Sequence, residues 1–186
     1  MNNKLILWGE YMRRIIEIMP LIGIKWGNNA INILDSASQV KSILGEPEST
    51  FKKSYYYFNS DLRIDFNENN CVEFIEFLGG INGKLQPIIY GIKAFETDAD
   101  NLYDILKKNN NGEIHDELGM GYAYSFLNIS VGIFRERTPT QIKEIMDEMM
   151  KEGIDIQGNE ELEEEKQKAF HWATIGIGGK GYYKEA

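Results

Sequence analysis

The chain has 186 residues, of which 42% are hydrophobic and 12% aromatic, and its formal net charge is −9. This apolar content excludes a wholly disordered chain, because it offers enough surface to offset the entropy lost on folding. The length suits one globular core, so we predict a single compact domain over residues 1–186.

The apolar runs and the cysteine content indicate the cellular compartment of the protein and whether it contacts a membrane. The longest apolar run, residues 15–24, is interrupted by Glu17, Pro20 and Gly23, and it is shorter than the ~20 residues that a membrane helix needs. The N-terminal residues lack the pattern of a signal peptide. The single cysteine, Cys71, precedes an apolar stretch, where a small buried thiol is the ordinary interpretation. We therefore expect a cytoplasmic protein with no membrane contact.

Two helices are predicted in the first quarter of the chain. Apolar residues spaced 0, 3, 4 and 7 from Met12 predict a helix over Glu10 to Met19, ended by Pro20. Ser36 to Leu44 has the pattern of a second, shorter helix with a serine cap, and Gly45 stops it.

Strand-forming segments follow in the middle of the chain. Tyr55 to Phe58 is aromatic, Leu62 to Phe66 alternates apolar with charged residues, and Val72 to Phe77 is rich in strand formers. These segments predict a three-stranded antiparallel meander with one buried and one wet face. A glycine-rich loop then precedes a further apolar segment, Ile88 to Ile92.

A similar order of elements recurs further along. Asp98 can cap a helix, and alternating apolar residues predict strands over Tyr122 to Phe126 and Ile129 to Ile133. This recurrence suggests an internal repeat of residues 36–78 and 98–135, with a chance meeting of common elements as the alternative. The predicted fold class is α+β, a mainly antiparallel sheet with helices packed on one face, in two similar helix-then-strands units.

Residues 138–186 are predicted to form C-terminal helices and a tail. Thr138 to Gln141 is a capping box with proline at the first helical position, and Gly153 supplies the stop. The stripe on this helix is expected to be core in preference to a binding groove, and it consists of Ile142, Ile145, Met146, Met149 and Met150. A second helix is predicted over Glu160 to Phe170, with inward residues Leu162, Lys166, Ala169 and Phe170. Trp172 to Ile177 is predicted as a strand, and the apolar tail is expected to dock back on the body.

The negative charge is concentrated in this C-terminal region. Residues 144–165 contain ten acidic residues and one lysine, a formal charge of −9, so the rest of the chain is neutral. Such asymmetry repels nucleic acid and favours a basic protein partner, whereas the alternative is a solvated face kept acidic for solubility. The predicted partner-binding residues lie on the two C-terminal helices: Glu144, Asp147, Glu148, Glu160, Glu161, Glu163, Glu164 and Glu165.

Motifs for catalysis or cofactor binding are weak. The two histidines, His115 and His171, lack the spacing of a zinc site, and the His115-Asp116-Glu117 run is interpreted as a polar loop. The glycine cluster 176–181 lacks the Ser or Thr and the following helix of a phosphate loop. We therefore predict no catalytic, cofactor or metal residues and a protein that is not an enzyme. A metal-dependent enzyme built from scattered carboxylates stays open as an alternative.

Several segments together resemble a known class of proteins. They are Leu44-Gly45-Glu46-Pro47, Tyr55-Tyr56-Tyr57-Phe58, Ile64-Asp65-Phe66 and Val72-Glu73-Phe74-Ile75-Glu76-Phe77. This layout, which covers about half the chain, is similar to the small acidic immunity proteins, or antitoxins, that Gram-positive bacteria encode beside polymorphic toxins. The resemblance implies a cytoplasmic protein that blocks a toxin domain, often a basic nuclease, by shape and charge complementarity.

The sequence thus favours a non-catalytic, protein-binding function, with an immunity protein as the leading hypothesis. The second hypothesis is a self-associating structural protein that forms a homodimer through a strand edge or the methionine stripe. No cofactor is expected under either hypothesis.

Overall fold

The computed structural model describes residues 13–117 and 119–184. Within this part of the chain there are four α-helices and thirteen strands. The helices are α1 Ala37–Leu44, α2 Ala99–Asn110, α3 Pro139–Lys151 and α4 Glu160–Phe170. The strands are β1 Arg14–Met19, β2 Gly23–Trp26, β3 Asn29–Asn32, β4 Ser49–Phe51, β5 Ser54–Tyr57, β6 Leu62–Phe66, β7 Val72–Phe77, β8 Leu85–Ile89, β9 Ile92–Lys93, β10 Ile114–Asp116, β11 Ala123–Phe126, β12 Val131–Phe134 and β13 Thr174–Gly178.

The strands form two sheets. The larger sheet has the order β10-β11-β12-β13-β7-β6-β5-β4, and all of its neighbouring strands are antiparallel. The smaller sheet has the order β3-β2-β1-β8-β9, in which β1 and β8 are parallel. The predicted α+β class with a mainly antiparallel sheet is therefore confirmed.

The core lies between the inner face of the large sheet, the smaller sheet and helices α1 and α2. Alternate residues of β6 and β7, such as Ile64 and Ile75, are fully buried on this face. Helix α1 contributes Val40, and α2 contributes Leu102 and Leu106, to the same cluster. One face of the large sheet is thus covered by the core, and the other carries the polar residues Arg63 and Asp65 of β6, as the alternation in Leu62 to Phe66 predicts, together with the aromatic side chain of Phe74.

The predicted helix over Glu10 to Met19 is wrong over its described part. Residues 14–19 form strand β1, which pairs with β2 on one side and β8 on the other. Ile16 and Ile18 are buried while Ile15 is 53% exposed, which is the two-residue period of a strand. The apolar pattern of this segment fits the helical period and the strand period equally well. Hydrogen bonding to a neighbouring strand on each side favours the strand. Residues 10–12 of the predicted helix lie outside the described residues.

The order of one helix followed by a meander occurs twice. Helix α1 precedes β4 to β7, and α2 precedes β10 to β12, with β13 completing a second set of four strands. The fourth strands, β7 and β13, pair with each other at the centre of the sheet. The predicted repeat at 98–135 therefore omits β13, because α3 and α4 separate β13 from β12 in the sequence. Common descent of the two units stays a prediction.

Helix α3 begins as the sequence predicts. The Thr138 side chain accepts a hydrogen bond from the Gln141 amide at 3.4 Å, and the Gln141 side chain accepts one from the Thr138 amide at 3.1 Å. We expect Thr138→Ala to lower the free energy of unfolding by about 1 kcal/mol, because one amide loses its acceptor. Urea denaturation would measure the loss. Thr140→Ala, an exposed position in the same turn, is the matched control; an equal loss in both variants would contradict the capping role.

The outer face of the large sheet carries a cluster of charged side chains. The Arg63 guanidinium contacts Glu76 at 3.1 Å and Asp65 at 3.2 Å. Arg63 Nε and Asp65 Oδ1 are buried without a hydrogen-bond partner among the described residues. Burial raises the pKa of Glu76 above its ordinary value, and the attraction of Arg63 offsets this only in part.

Because its pKa is raised, Glu76 is expected to make the free energy of unfolding depend on pH. The folded state binds the Glu76 proton more tightly than the unfolded chain does. As the pH rises from the ordinary pKa of a glutamate to the raised pKa of the folded state, Glu76 therefore lowers the free energy of unfolding. Glu76→Gln removes that dependence. We expect the free energy of unfolding of the variant, relative to the natural protein, to be higher at pH 7 than at pH 4. Urea denaturation at both pH values checks this, and a constant or reversed difference would contradict it.

No helix in the described ranges combines the length and the apolar character that a bilayer span requires.

Candidate protein-binding surface

Helices α3 and α4 form a hairpin that is inserted into the large sheet. They occupy residues 135–173, between β12 and β13, which are neighbouring antiparallel strands. In the first unit the corresponding connection, between β6 and β7, is the short turn of residues 67–71. The helical hairpin is therefore the main insertion into the large sheet, and the pairing of β12 with β13 does not require it.

The hairpin contributes little to the main core. The buried apolar residues of α3 and α4 are Ile142, Leu162 and Ala169, and these three lie outside the core cluster that joins the sheets, α1 and α2, whereas Trp172, just after α4, belongs to that cluster. Helix α4 contacts α3 and, to a lesser extent, α2. The two helices thus form a separate layer at the side of the sheet.

The methionine stripe of α3 is only partly covered. Ile142 at its start is buried, Met146 and Met149 are half-buried, and Met150 is 52% exposed. The prediction that this stripe is core is therefore correct only for its first turn. Phe170, predicted to face inward on α4, is 42% exposed, because the helix ends there and the chain turns into β13. Uncovered apolar surface remains at the C-terminal ends of both helices.

The predicted contact residues on α3 lie on one side of the helix. Glu144 and Glu148 are exposed, and Asp147 is half-buried. With about 100° between successive residues, the three side chains fall within an arc of about 100°. They form a continuous acidic strip beside the methionine stripe.

The predicted contact residues on α4 do not share one face. Residues 160, 161, 163, 164 and 165 are too closely spaced in sequence to point in one direction on a helix. Glu160, Glu161 and Glu164 are exposed and form no ion pair with any described residue, whereas Glu163 contacts Lys166 at 2.6 Å.

Glu165 is engaged within the protein. It accepts hydrogen bonds from Lys168, at 2.7 Å, and from Arg137. These two bonds hold the pKa of Glu165 below its ordinary value. Glu165 therefore ties α4 to the start of the insertion, and the outward acidic surface is narrower than the sequence predicts.

A cleft of about 310 Å³ lies beside α4. One wall is the loop of residues 78–82, and the other includes Glu164 and His171. Glu136 also lines the cleft, with Lys168 Nζ at 3.9 Å from its carboxylate. The charged lining thus consists of two carboxylates, of Glu136 and Glu164, and one ammonium group, of Lys168. Sequence reasoning missed Glu136 and His171 as members of this site, because the loop and α4 are distant in the chain and only the fold brings them together.

The remaining candidate residues are dispersed. His115 lies on β10 beside Glu113, at 3.1 Å, so the predicted polar loop at residues 115–117 is in part an edge strand. Cys71, interpreted as a buried thiol, is only half-buried, because the β6–β7 turn leaves it near the surface. Residues 176–181 form the end of β13 and a turn. Within the described residues no group of three or more His, Cys, Asp or Glu is placed to hold a metal ion.

Comparison with models of protein families, with curated proteins and with solved structures gives no match.

Proposed function

We propose that this chain is a protein-binding inhibitor of the immunity or antitoxin type, which recognises a basic partner through the α3–α4 hairpin. The observation that carries the proposal is the placement of charge. Residues 144–165, whose formal charge of −9 equals that of the whole chain, lie within an insertion that the sheet does not need for its own closure.

The composition of the hairpin surface supports recognition of a protein. Exposed carboxylates of Glu144, Glu148 and Glu164 lie on the same two helices as Met150 and Phe170, whose apolar side chains are about half exposed. Protein interfaces combine buried apolar contacts with charged and polar ones. Methionine suits an apolar contact because its flexible side chain adapts to an irregular partner surface.

Charge and shape would act at different stages of binding. The acidic field attracts a basic surface over several ångströms and raises the association rate, especially at low salt. The apolar side chains then exclude water, and the cleft beside α4 receives a lysine or arginine side chain of the partner. Blocking the basic groove of a nuclease domain would follow from this docking without any catalytic residue in the inhibitor.

The same charge argues against nucleic acid as the partner. Phosphate groups would meet carboxylates and release no bound counterions, so the main driving force for nucleic-acid binding is missing. A toxin domain that acts on cytoplasmic substrates would require the inhibitor in the cytoplasm as well.

Affinity capture tests the proposal. The tagged full-length chain is used to capture partners from its native cells at low salt, and the retained proteins are eluted with high salt and identified by mass spectrometry. We expect a basic protein that elutes with salt and binds again as a purified component. Recovery of the chain alone, or of a partner that high salt does not release, would contradict the proposal and favour self-association or another mode of binding.

A further inference from the structure

A second pocket lies on the outer face of the large sheet, where β7 pairs with β13. Glycines of the sheet lie directly beneath the C-terminal tyrosines: a Cβ atom at Gly132 would lie 2.2 Å from the Tyr183 hydroxyl oxygen, and one at Gly178 would lie 2.5 Å from the Tyr182 ring. The C-terminal segment, residues 179–184, can therefore cross the sheet at close range. This docking of the tail is what its apolar sequence predicts.

The tail is held in place by aromatic contacts. The Tyr182 ring stacks on Phe74 with a centroid distance of 4.7 Å and an interplanar angle of 5°. Tyr183 packs edge-on against Tyr182 at 5.1 Å. Burial raises the pKa of Tyr182 to about 12 and that of Tyr183 well above its ordinary value, so both hydroxyls stay neutral at physiological pH. The two rings wall the pocket without adding charge.

The pocket has a volume of about 360 Å³ and a mixed lining of aromatic rings and carboxylates. Its principal lining residues are Arg63, Phe74, Glu76, Glu117, Phe134 and Tyr183. A cavity of this size accommodates a small organic molecule.

The charges of the lining favour a cation. Arg63 already contacts Asp65 and Glu76, so its positive charge is committed within the protein. Glu117 accepts a hydrogen bond from the buried Ser125 hydroxyl at 2.6 Å and has no basic partner among the described residues. The charged lining residues Arg63, Glu76 and Glu117 carry a formal charge of −1, and Asp65, which contacts Arg63 from outside the lining, adds a further negative charge, so a bound anion would be repelled.

The aromatic rings favour an organic cation over a metal ion. The negative faces of aromatic rings attract ammonium groups and also cover aliphatic carbon. A Ca²⁺ ion takes more oxygen ligands than Glu76 and Glu117 supply, and a Mg²⁺ ion held by two carboxylates would keep most of its water shell and leave the aromatic rings without a role.

We propose that this pocket binds a small organic cation, an ammonium group on an aliphatic chain, with Glu76 and Glu117 facing the charge and Tyr183 and Phe134 facing the chain. The ammonium group belongs either to a free aliphatic amine or to a lysine side chain of a bound protein. This site is independent of the α3–α4 surface.

Calorimetric titration of the full-length protein tests the proposal. The probes are 1,5-diaminopentane, the neutral isostere 1,5-pentanediol, and Nα-acetyl-lysine amide as a stand-in for a protein lysine. We expect at least one amine to bind saturably with a Kd of about 1 mM or tighter and the diol not to bind. Tighter binding of the diamine would identify a free amine as the natural ligand, and equal or tighter binding of the lysine amide would identify a protein lysine.

Variants locate the binding. Glu117→Gln is expected to weaken amine binding at least about tenfold, and Tyr183→Leu to weaken it by a similar factor through loss of the aromatic face. Glu113→Gln, an exposed carboxylate on the same segment, is the matched control and should leave Kd unchanged within about twofold. The proposal is overturned if neither amine saturates below about 10 mM, if the diol binds as well as the amines, or if the control weakens binding as much as Glu117→Gln.

Discussion

Trp172→Ala is expected to lower the free energy of unfolding by about 4 kcal/mol, the largest effect of a single substitution in this protein. Trp172 is 1% exposed and joins the end of α4 to α2, because its indole Nε1 donates to the Ala99 carbonyl at 2.9 Å. The Arg135 guanidinium lies 5.0 Å from its ring, and Tyr124 packs edge-on at 6.0 Å. Truncation leaves a cavity and removes all three contacts.

Chemical denaturation of three variants would test the role of Trp172. Trp172→Phe keeps most of the volume and loses the hydrogen bond, so we expect a loss of about 1–2 kcal/mol. Trp26→Ala removes a tryptophan that is only partly buried against the core and should have a smaller effect than Trp172→Ala. If Trp26→Ala were the more damaging change, the assignment of Trp172 as the joint between α2 and the hairpin would be wrong.

The triple change of Glu144, Glu148 and Glu164 to lysine is expected to weaken binding of the basic partner on the order of 100-fold. Three reversed contacts at about 1 kcal/mol each correspond to about two orders of magnitude in Kd. All three side chains are exposed and lie outside the first turns of their helices, so the fold should tolerate the change. The slope of log Kd against log salt should also become shallower.

A control with the same change in net charge separates local contact from the long-range field. Lysine at Glu46, Glu68 and Glu113 also raises the formal net charge from −9 to −3, and these exposed residues lie on the body of the protein and not on the hairpin. We expect Kd of this variant to change by no more than about threefold, because salt screens charges that do not touch the partner. Equal weakening in both variants would mean that net charge, and not the hairpin, governs affinity.

Local signals in the sequence predict much of this fold. Ser36, Asp98 and Thr138 each cap the helix that follows them, as their side chains predict. The alternation in Leu62 to Phe66 correctly assigns the apolar residues of β6 to the buried face, whereas the opposite face is half-buried and not fully wet.

Features that depend on distant partners could not be predicted in this way. Residues 14–19 carry a pattern compatible with helix or strand, and their pairing with β8 decides between the two. Strands β2, β3 and β4 are short and contain glycine, asparagine or serine, so their stability comes from neighbouring strands and not from propensity. The adjacency of β7 and β13, which sets the architecture, has no local signal at all.

The candidate site also has features that the sequence predicts and features that depend on residues distant in the chain. The charge count places the acidic surface on α3 and α4, but it does not reveal that Glu165 turns toward Arg137, which lies 28 residues earlier in the chain. It also predicts nothing about Glu136, which reaches the cleft from the end of β12. The number of acidic residues is a property of the sequence, whereas the direction in which each points depends on the packing of the hairpin.

Hydrogen–deuterium exchange of the protein, free and bound to its captured partner, tests the central claim most directly. The account predicts that the backbone amides of residues 140–151 in α3 and of Glu160–Phe170 in α4 exchange more slowly in the complex, while those of β4 to β7 are unchanged. Protection confined to the edge strands β4 or β10, with the hairpin unaffected, would contradict the claim that the inserted helices are the recognition surface.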